Sequence, residues 1–180
     1  MKIETAYTAH PGGRDEQQDA VAVLERPDGG ECLVVLADGM GGHAGGSLAS
    51  RTVVETAERV WADDGAPGDP RGLLAHICQS AHEAINQAGE DQNLSPRSTC
   101  VLLHLRGGMA HWAHVGDSRL YRFRDGAQLG RTRDHSVVQM LLDMGKISEE
   151  EMGTHPDQNR LTQSLGGDTD PEPDFGSDEA

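Results

Sequence analysis

Cys32-Leu33-Val34-Val35-Leu36-Ala37-Asp38-Gly39-Met40-Gly41-Gly42-His43-Ala44-Gly45-Gly46-Ser47 passes from an apolar run to a carboxylate and then to a glycine-rich stretch. Six consecutive apolar residues with paired valines read as a strand buried on both faces. Asp38 stands at its end, where a rigid sheet can hold a carboxylate at the edge of a solvent cleft. Ser47 is placed to cap a following helix, on whose single face Leu48, Ala49, Val53, Val54, Ala57, Val60 and Trp61 recur at helical spacing.

Upstream, residues 3–9 alternate as a short strand before Pro11-Gly12-Gly13, and Asp19 opens the strand-like run AVAVLE, which stops at the turn Pro27-Asp28-Gly29-Gly30. Downstream, Leu74, Ile77, Ala81, Ile85 and Ala88 stripe a second helix. Strand-like runs follow at Ser98–Leu105, Ala110–Val115 and Arg119–Arg124. Gly107-Gly108 marks a hairpin between the first two, Gly116-Asp117-Ser118 a turn between the next two, and Asp125-Gly126 a further turn. A short helix is expected from Ser136 to Met144, and another at Ser148, where Glu151 completes a capping box. From Asp168 the chain is acidic, contains proline and lacks periodicity, which reads as a solvated, disordered tail over 168–180 behind one domain, 1–167.

Thirty acidic against fifteen basic residues give a net charge of −15, which sets the chain against nucleic acid and anionic membranes as partners. No leader-like segment opens the sequence and no run of about 18 apolar residues occurs, so a cytoplasmic location is expected. Cys32, Cys78 and Cys100 are scattered in apolar segments and read as reduced, buried thiols. His111 and His114 are three apart on a strand and face opposite sides, so they form no zinc pair.

Asp19, Asp38 and Asp117 thus share strand-end or turn positions. Carboxylates converging there repel one another unless a cation lies between them, and hard oxygen donors suit Mg²⁺ or Mn²⁺ rather than zinc. Gly39-Met40-Gly41-Gly42-His43-Ala44 also fits a dinucleotide-binding turn. Against that, Asp38 would face a pyrophosphate with like charge, and no strand ending in an acid follows at the required distance. A phosphoaspartate enzyme would need a second Asp two residues after Asp38, where Met40 stands.

Five segments narrow the choice. Arg14-Asp15-Glu16-Gln17-Gln18-Asp19, Asp38-Gly39-Met40-Gly41-Gly42-His43, Val115-Gly116-Asp117-Ser118-Arg119, Thr132-Arg133-Asp134-His135-Ser136 and Asn159–Gly166 resemble, in order and spacing, the motifs of the bacterial PP2C-type protein serine/threonine phosphatases. The resemblance implies an α+β, four-layer αββα sandwich of two antiparallel sheets with flanking helices. It implies that Asp38 bridges two metal ions with the Gly39 carbonyl on one, that Asp19 and Gln18 hold metal waters, and that Asp117 binds a third ion. Arg14 would bind the substrate phosphate with its planar fork. Mg²⁺ or Mn²⁺, two or three ions in the complete site, would activate a water for in-line attack on phosphoserine or phosphothreonine proteins, products of a cognate kinase. Met40 stands where some members place a histidine as general acid, and His43 lies nearby in the glycine-rich run. The family's domain continues with strands bearing two more metal aspartates, and Asp174 and Asp178 are not expected to replace them. The C-terminal strands are therefore expected to be missing, with low solubility or oligomerisation and little activity. The alternative function is a catalytically impaired chain that binds phosphoproteins.

Overall fold

Seven valine-, leucine- and alanine-rich positions between Asp19 and Glu25, and ten between Glu31 and Met40, form the hairpin β1 (Asp19–Glu25) and β2 (Glu31–Met40). The computed structural model describes residues 2–13, 16–27, 29–63 and 68–180, with the backbone alone at His43. Two helices follow, α1 (His43–Ala62) and α2 (Pro70–Gln92), then β3 (Arg97–Ser98), β4 (Cys100–Arg106) and β5 (Met109–Val115). The hairpin β6 (Tyr121–Arg124) and β7 (Ala127–Arg131) precedes the short helices α3 (Val137–Asp143) and α4 (Glu149–Met152), and β8 (Asp174–Glu179) closes the order. The large sheet runs β1-β2-β4-β5-β8 with β3 beside β2, and β6 and β7 form a second sheet. Every strand pairing among the described residues is antiparallel. That excludes the parallel βαβ unit of a dinucleotide site and agrees with the α+β class of two antiparallel sheets and helices.

Helices α1 and α2 lie on one face of the large sheet. Leu33, Val35 and Ala37 of β2 meet Val53 and Ala57 of α1 and Ile77, Ala81 and Ile85 of α2, all fully buried. Each buried Val, Leu or Ile contributes about 1.5–3 kcal/mol before the entropy of ordering is subtracted. The alternate residues, Val34, Leu36 and Asp38, point to the opposite face with Leu103 and Trp112. That face is only partly covered: Leu36 is 39% exposed. The expectation of a β2 buried on both sides therefore fails on the side turned from the helices. All three cysteines are free and buried.

Three further expectations are corrected. Residues 3–9 form no strand, because they join no ladder and Tyr7 stays exposed. Helix α1 begins at His43 rather than after Ser47; its N-cap is Gly42, and the Ser47 hydroxyl donates instead to the Gln17 carbonyl (3.2 Å). The solvated tail proves to contain β8, hydrogen-bonded along β5 from Met109↔Glu179 to His114↔Asp174. Ion pairing substitutes for the missing apolar pattern: Arg122 of β6 binds Asp178, and Arg124 donates to the Glu179 carbonyl (2.9 Å). The Ser148–Glu151 capping box is present. No helix among the described residues is long and apolar enough to cross a membrane.

Candidate functional site

The β1–β2 register places Asp19 directly opposite Asp38. Cross-strand partners project to the same side with Cβ atoms about 4.5–5.5 Å apart, so the two carboxylates share the face turned from the helices. Asp19 is exposed and Asp38 half-buried. The Gly39 amide donates to the Gln18 carbonyl (3.0 Å), tying the turn before β1 to the end of β2.

The start of α1 presses on this point. A Cβ at Gly39 would stand 1.9 Å from the Gly46 carbonyl oxygen, and one at Gly46 would stand 2.8 Å from the Gly39 oxygen and 3.0 Å from the Gln18 amide. Only hydrogen fits at either residue, which is why a glycine stands at position 46 inside the first turns of α1 at a cost in helix propensity.

Asp38 is held from behind by the Ser98-Thr99 step between β3 and β4. Its amide donates to Thr99 Oγ1 (3.0 Å), and its carbonyl accepts from the Thr99 amide (2.9 Å) and Ser98 Oγ (3.1 Å). Thr99 Oγ1 lies 2.7 Å from Ser118 Oγ, the residue after Asp117. Gly116, at φ 100°, turns the chain into this junction, and a Cβ there would meet Thr99 Cγ2 at 2.7 Å. Burial pushes the Asp117 carboxyl above the usual carboxylate range, with nearby Asp134 adding to the shift and Arg119 opposing it.

Arg119 is itself committed. Its Nε and Nη2 donate to the two oxygens of buried Asp134 (2.8 and 2.5 Å), and Arg131 reaches the same carboxylate (3.4 Å). Asp134 therefore fixes the turn that carries Asp117.

His114, His135 and Asp174 bring ligand-type atoms within 4.8 Å of one another. Their hydrogen bonds show a latch. The Gly116 amide donates to His135 Nδ1 (3.3 Å), so the ring proton sits on Nε2, which faces Asp174 at 3.3 Å. His114 Nε2 donates to the Arg133 carbonyl (2.7 Å), and burial lowers its basicity. The trio thus fastens β8 and the 133–135 loop to the end of β5. Asp174 and Asp178 sit on a strand, contrary to the expectation, but they serve His135 and Arg122.

The fold thus brings Asp19, Asp38, Gln18 and Gly39 together and links Asp117 to them through Ser118 and Thr99. Arg14 lies outside the described residues, as does the His43 side chain. Sequence reasoning missed Ser98 and Thr99, which it ran into one continuous strand. Two hydroxyl residues opening an otherwise apolar run were the available signal.

Residues 8–139 match the family profile described as Protein phosphatase 2C. Protein phosphatase PhpP of Streptococcus pneumoniae is 35% identical over 151 residues, covering 82% of this chain and 61% of that protein. The chain thus spans about three-fifths of that relative's length. The crystal structure of serine/threonine phosphatase Stp1 from Staphylococcus aureus superposes with a TM-score of 0.85 at 28% identity, covering 99% of this chain and 74% of that one. The catalytic domain of serine threonine protein phosphatase PstP, solved in complex with 2 manganese ions, gives a TM-score of 0.73 at 32% identity over 93% of this chain and 67% of that one. The profile match runs through the Asp19, Asp38 and Asp117 segments alike, and the chain belongs to the Protein phosphatase 2C family.

Proposed function

We propose that this chain carries the acidic face of a metal-dependent phosphatase site, for hydrolysis of phosphoserine and phosphothreonine in proteins. The observation that carries the reading is the direct opposition of Asp19 and Asp38 on one sheet face. Two carboxylates so placed repel, and a divalent cation relieves the repulsion. The donor set fits Mg²⁺ or Mn²⁺: the Asp19, Asp38 and Asp117 carboxylates, the Gly39 carbonyl and the Gln18 amide are hard oxygen groups without a thiolate among them. A bound divalent ion supplies Lewis acidity toward water and the phosphate.

The chain's own residues have distinct tasks on this reading. Asp38 is the central ligand, its backbone fixed on both sides by Ser98 and Thr99. Asp19 and Gln18 orient water at the rim, and Asp117 holds a further ion. Arg14 would receive the phosphate. The substrates are products of a serine/threonine kinase, and the setting is cytoplasmic.

The test is Mn²⁺-dependent release of phosphate from a phosphothreonine peptide by the chain, with Asp38→Asn as the control. Turnover abolished by Asp38→Asn supports the reading; metal-independent turnover, or turnover indifferent to Asp38, refutes it. A second reading, phosphoprotein binding without turnover, is favoured by Met40, whose thioether cannot donate a proton to a leaving group. Saturable peptide binding with no phosphate released would select it.

A further inference from the structure

Thr99 is fully buried, and its hydroxyl has two partners that belong to two different acidic segments. The Asp38 amide donates to Thr99 Oγ1 at 3.0 Å, and Ser118 Oγ lies 2.7 Å from the same oxygen. One hydroxyl oxygen can accept from the amide and still exchange a hydrogen bond with a second hydroxyl. The Thr99 methyl fills the other half of the junction, against Gly116, whose φ of 100° and lack of a Cβ let the β5 end approach. The Thr99 amide and Ser98 Oγ then both hold the Asp38 carbonyl. Asp38 thus has its backbone position set by the Ser98-Thr99 step, and the same step grips the turn bearing Asp117.

We propose that Thr99 is a positioning residue, whose hydroxyl locks Asp38 and the Asp117-Ser118 turn into one unit for taking up divalent cation. The inference rests on the metal reading above and adds to it a residue that touches neither metal nor substrate. Outer hydrogen-bonding partners of metal ligands typically carry tenfold or more in metal affinity, because they hold the ligand in its binding geometry. The arrangement also predicts coupling: a loss at the Ser118 end and a loss at the Thr99 end break the same link, so they should not add.

The experiment is Mn²⁺ titration calorimetry on the full chain, with each variant's fold checked by circular dichroism. Thr99→Val keeps the shape and removes the hydroxyl; about a tenfold loss of Mn²⁺ affinity is expected. Thr99→Ser keeps the hydroxyl and should bind within about twofold of the parent, as the bridging oxygen is retained. Ser118→Ala should weaken binding severalfold, and Thr99→Val combined with Ser118→Ala should be no weaker than Thr99→Val alone. Parental affinity in Thr99→Val overturns the proposal. So do equal losses in Thr99→Val and Thr99→Ser, which would make the effect one of packing. If Thr99→Val does not fold, Ser118→Ala decides, and an unchanged affinity there overturns the proposal. Asp38→Asn separates the two levels of the argument. A parent that takes up no Mn²⁺, or an Asp38→Asn variant that binds as well as the parent, refutes the metal reading and this inference with it. Loss in Asp38→Asn beside full affinity in Thr99→Val refutes this inference alone.

Discussion

Replacing Asp19 by Asn should stabilise the metal-free protein and weaken its response to metal, two effects of opposite sign from one substitution. Asp19 and Asp38 are register partners, whose Cβ atoms stand about 5 Å apart by the geometry of opposed residues. Two unit charges at that distance repel by about 0.8 kcal/mol in water and about 3 kcal/mol at an effective dielectric of 20. Asp19 is exposed, so the lower figure applies and a gain of about 1 kcal/mol is expected in chelator. For a domain of this size, that gain raises the melting midpoint by about 2–4 °C. Metal reverses the balance. At a Mn²⁺ concentration of about 100 times Kd the parent gains roughly 2.7 kcal/mol, whereas a variant binding tenfold more weakly gains only about 1.4 kcal/mol. Thermal melts with and without Mn²⁺ test both halves. An Asp19→Asn variant that melts no higher than the parent in chelator, and shifts as far with Mn²⁺, would refute the view that these carboxylates share one cation.

Gly39→Ala would drive a methyl into the Gly46 carbonyl oxygen at 1.9 Å, and urea denaturation should show a loss of about 3 kcal/mol or more as α1 is forced off β2. Asp134→Ala strands the Arg119 guanidinium that its carboxylate now grips, and the urea midpoint should report a cost of about 3 kcal/mol. Asp117→Asn should act through pH. Burial raises the folded-state pKa of Asp117, so the stability this raised pKa contributes is fully present below the unfolded carboxylate pKa. It is lost as pH rises through the raised value. In chelator the variant should therefore be more stable than the parent at pH 7.5, relative to their difference at pH 3.5; an offset equal at both values would contradict this.

The parts legible in the sequence were those with local signals. Asp19 and Asp38 were placed at strand ends because apolar runs border them, and the Asp125-Gly126 turn was readable because both residues take positive φ in a tight hairpin. Their direct opposition was not legible, since register depends on how many residues the intervening loop absorbs. The start of α1 was misplaced because glycines at 45 and 46 read as loop. Both are helical, and at Gly46 the end of β2 lies too close for a side chain. Strand β8 has a single large apolar residue, Phe175, and owes its place to the edge of β5 and to arginines more than fifty positions earlier. Local periodicity carries no trace of such partners. Segment 3–9 is the converse case, an alternating pattern that finds no neighbour to pair with.

The β6–β7 ribbon is fastened to the large sheet largely by charge. Arg122 binds Asp178 of β8 and lies 4.7 Å over the Trp112 ring of β5, and Arg124 holds the Glu179 carbonyl, while Arg131 ties the end of the ribbon to Asp134 in the loop that follows. The helices on the other side are seated by apolar packing. The two sides of one sheet therefore answer to different solvents. Dissolved salt screens partly exposed pairs such as Arg122–Asp178 and strengthens apolar contact if it acts on it at all. Rising ionic strength should loosen the ribbon while the helical side stays shut, and amide exchange in β6 and β7 should quicken well before that in α1 and α2. In a chain with a net charge of −15, Arg122 and Arg131 of this ribbon are already engaged with the protein's own acids, so a visiting anion would have to compete with the protein for them.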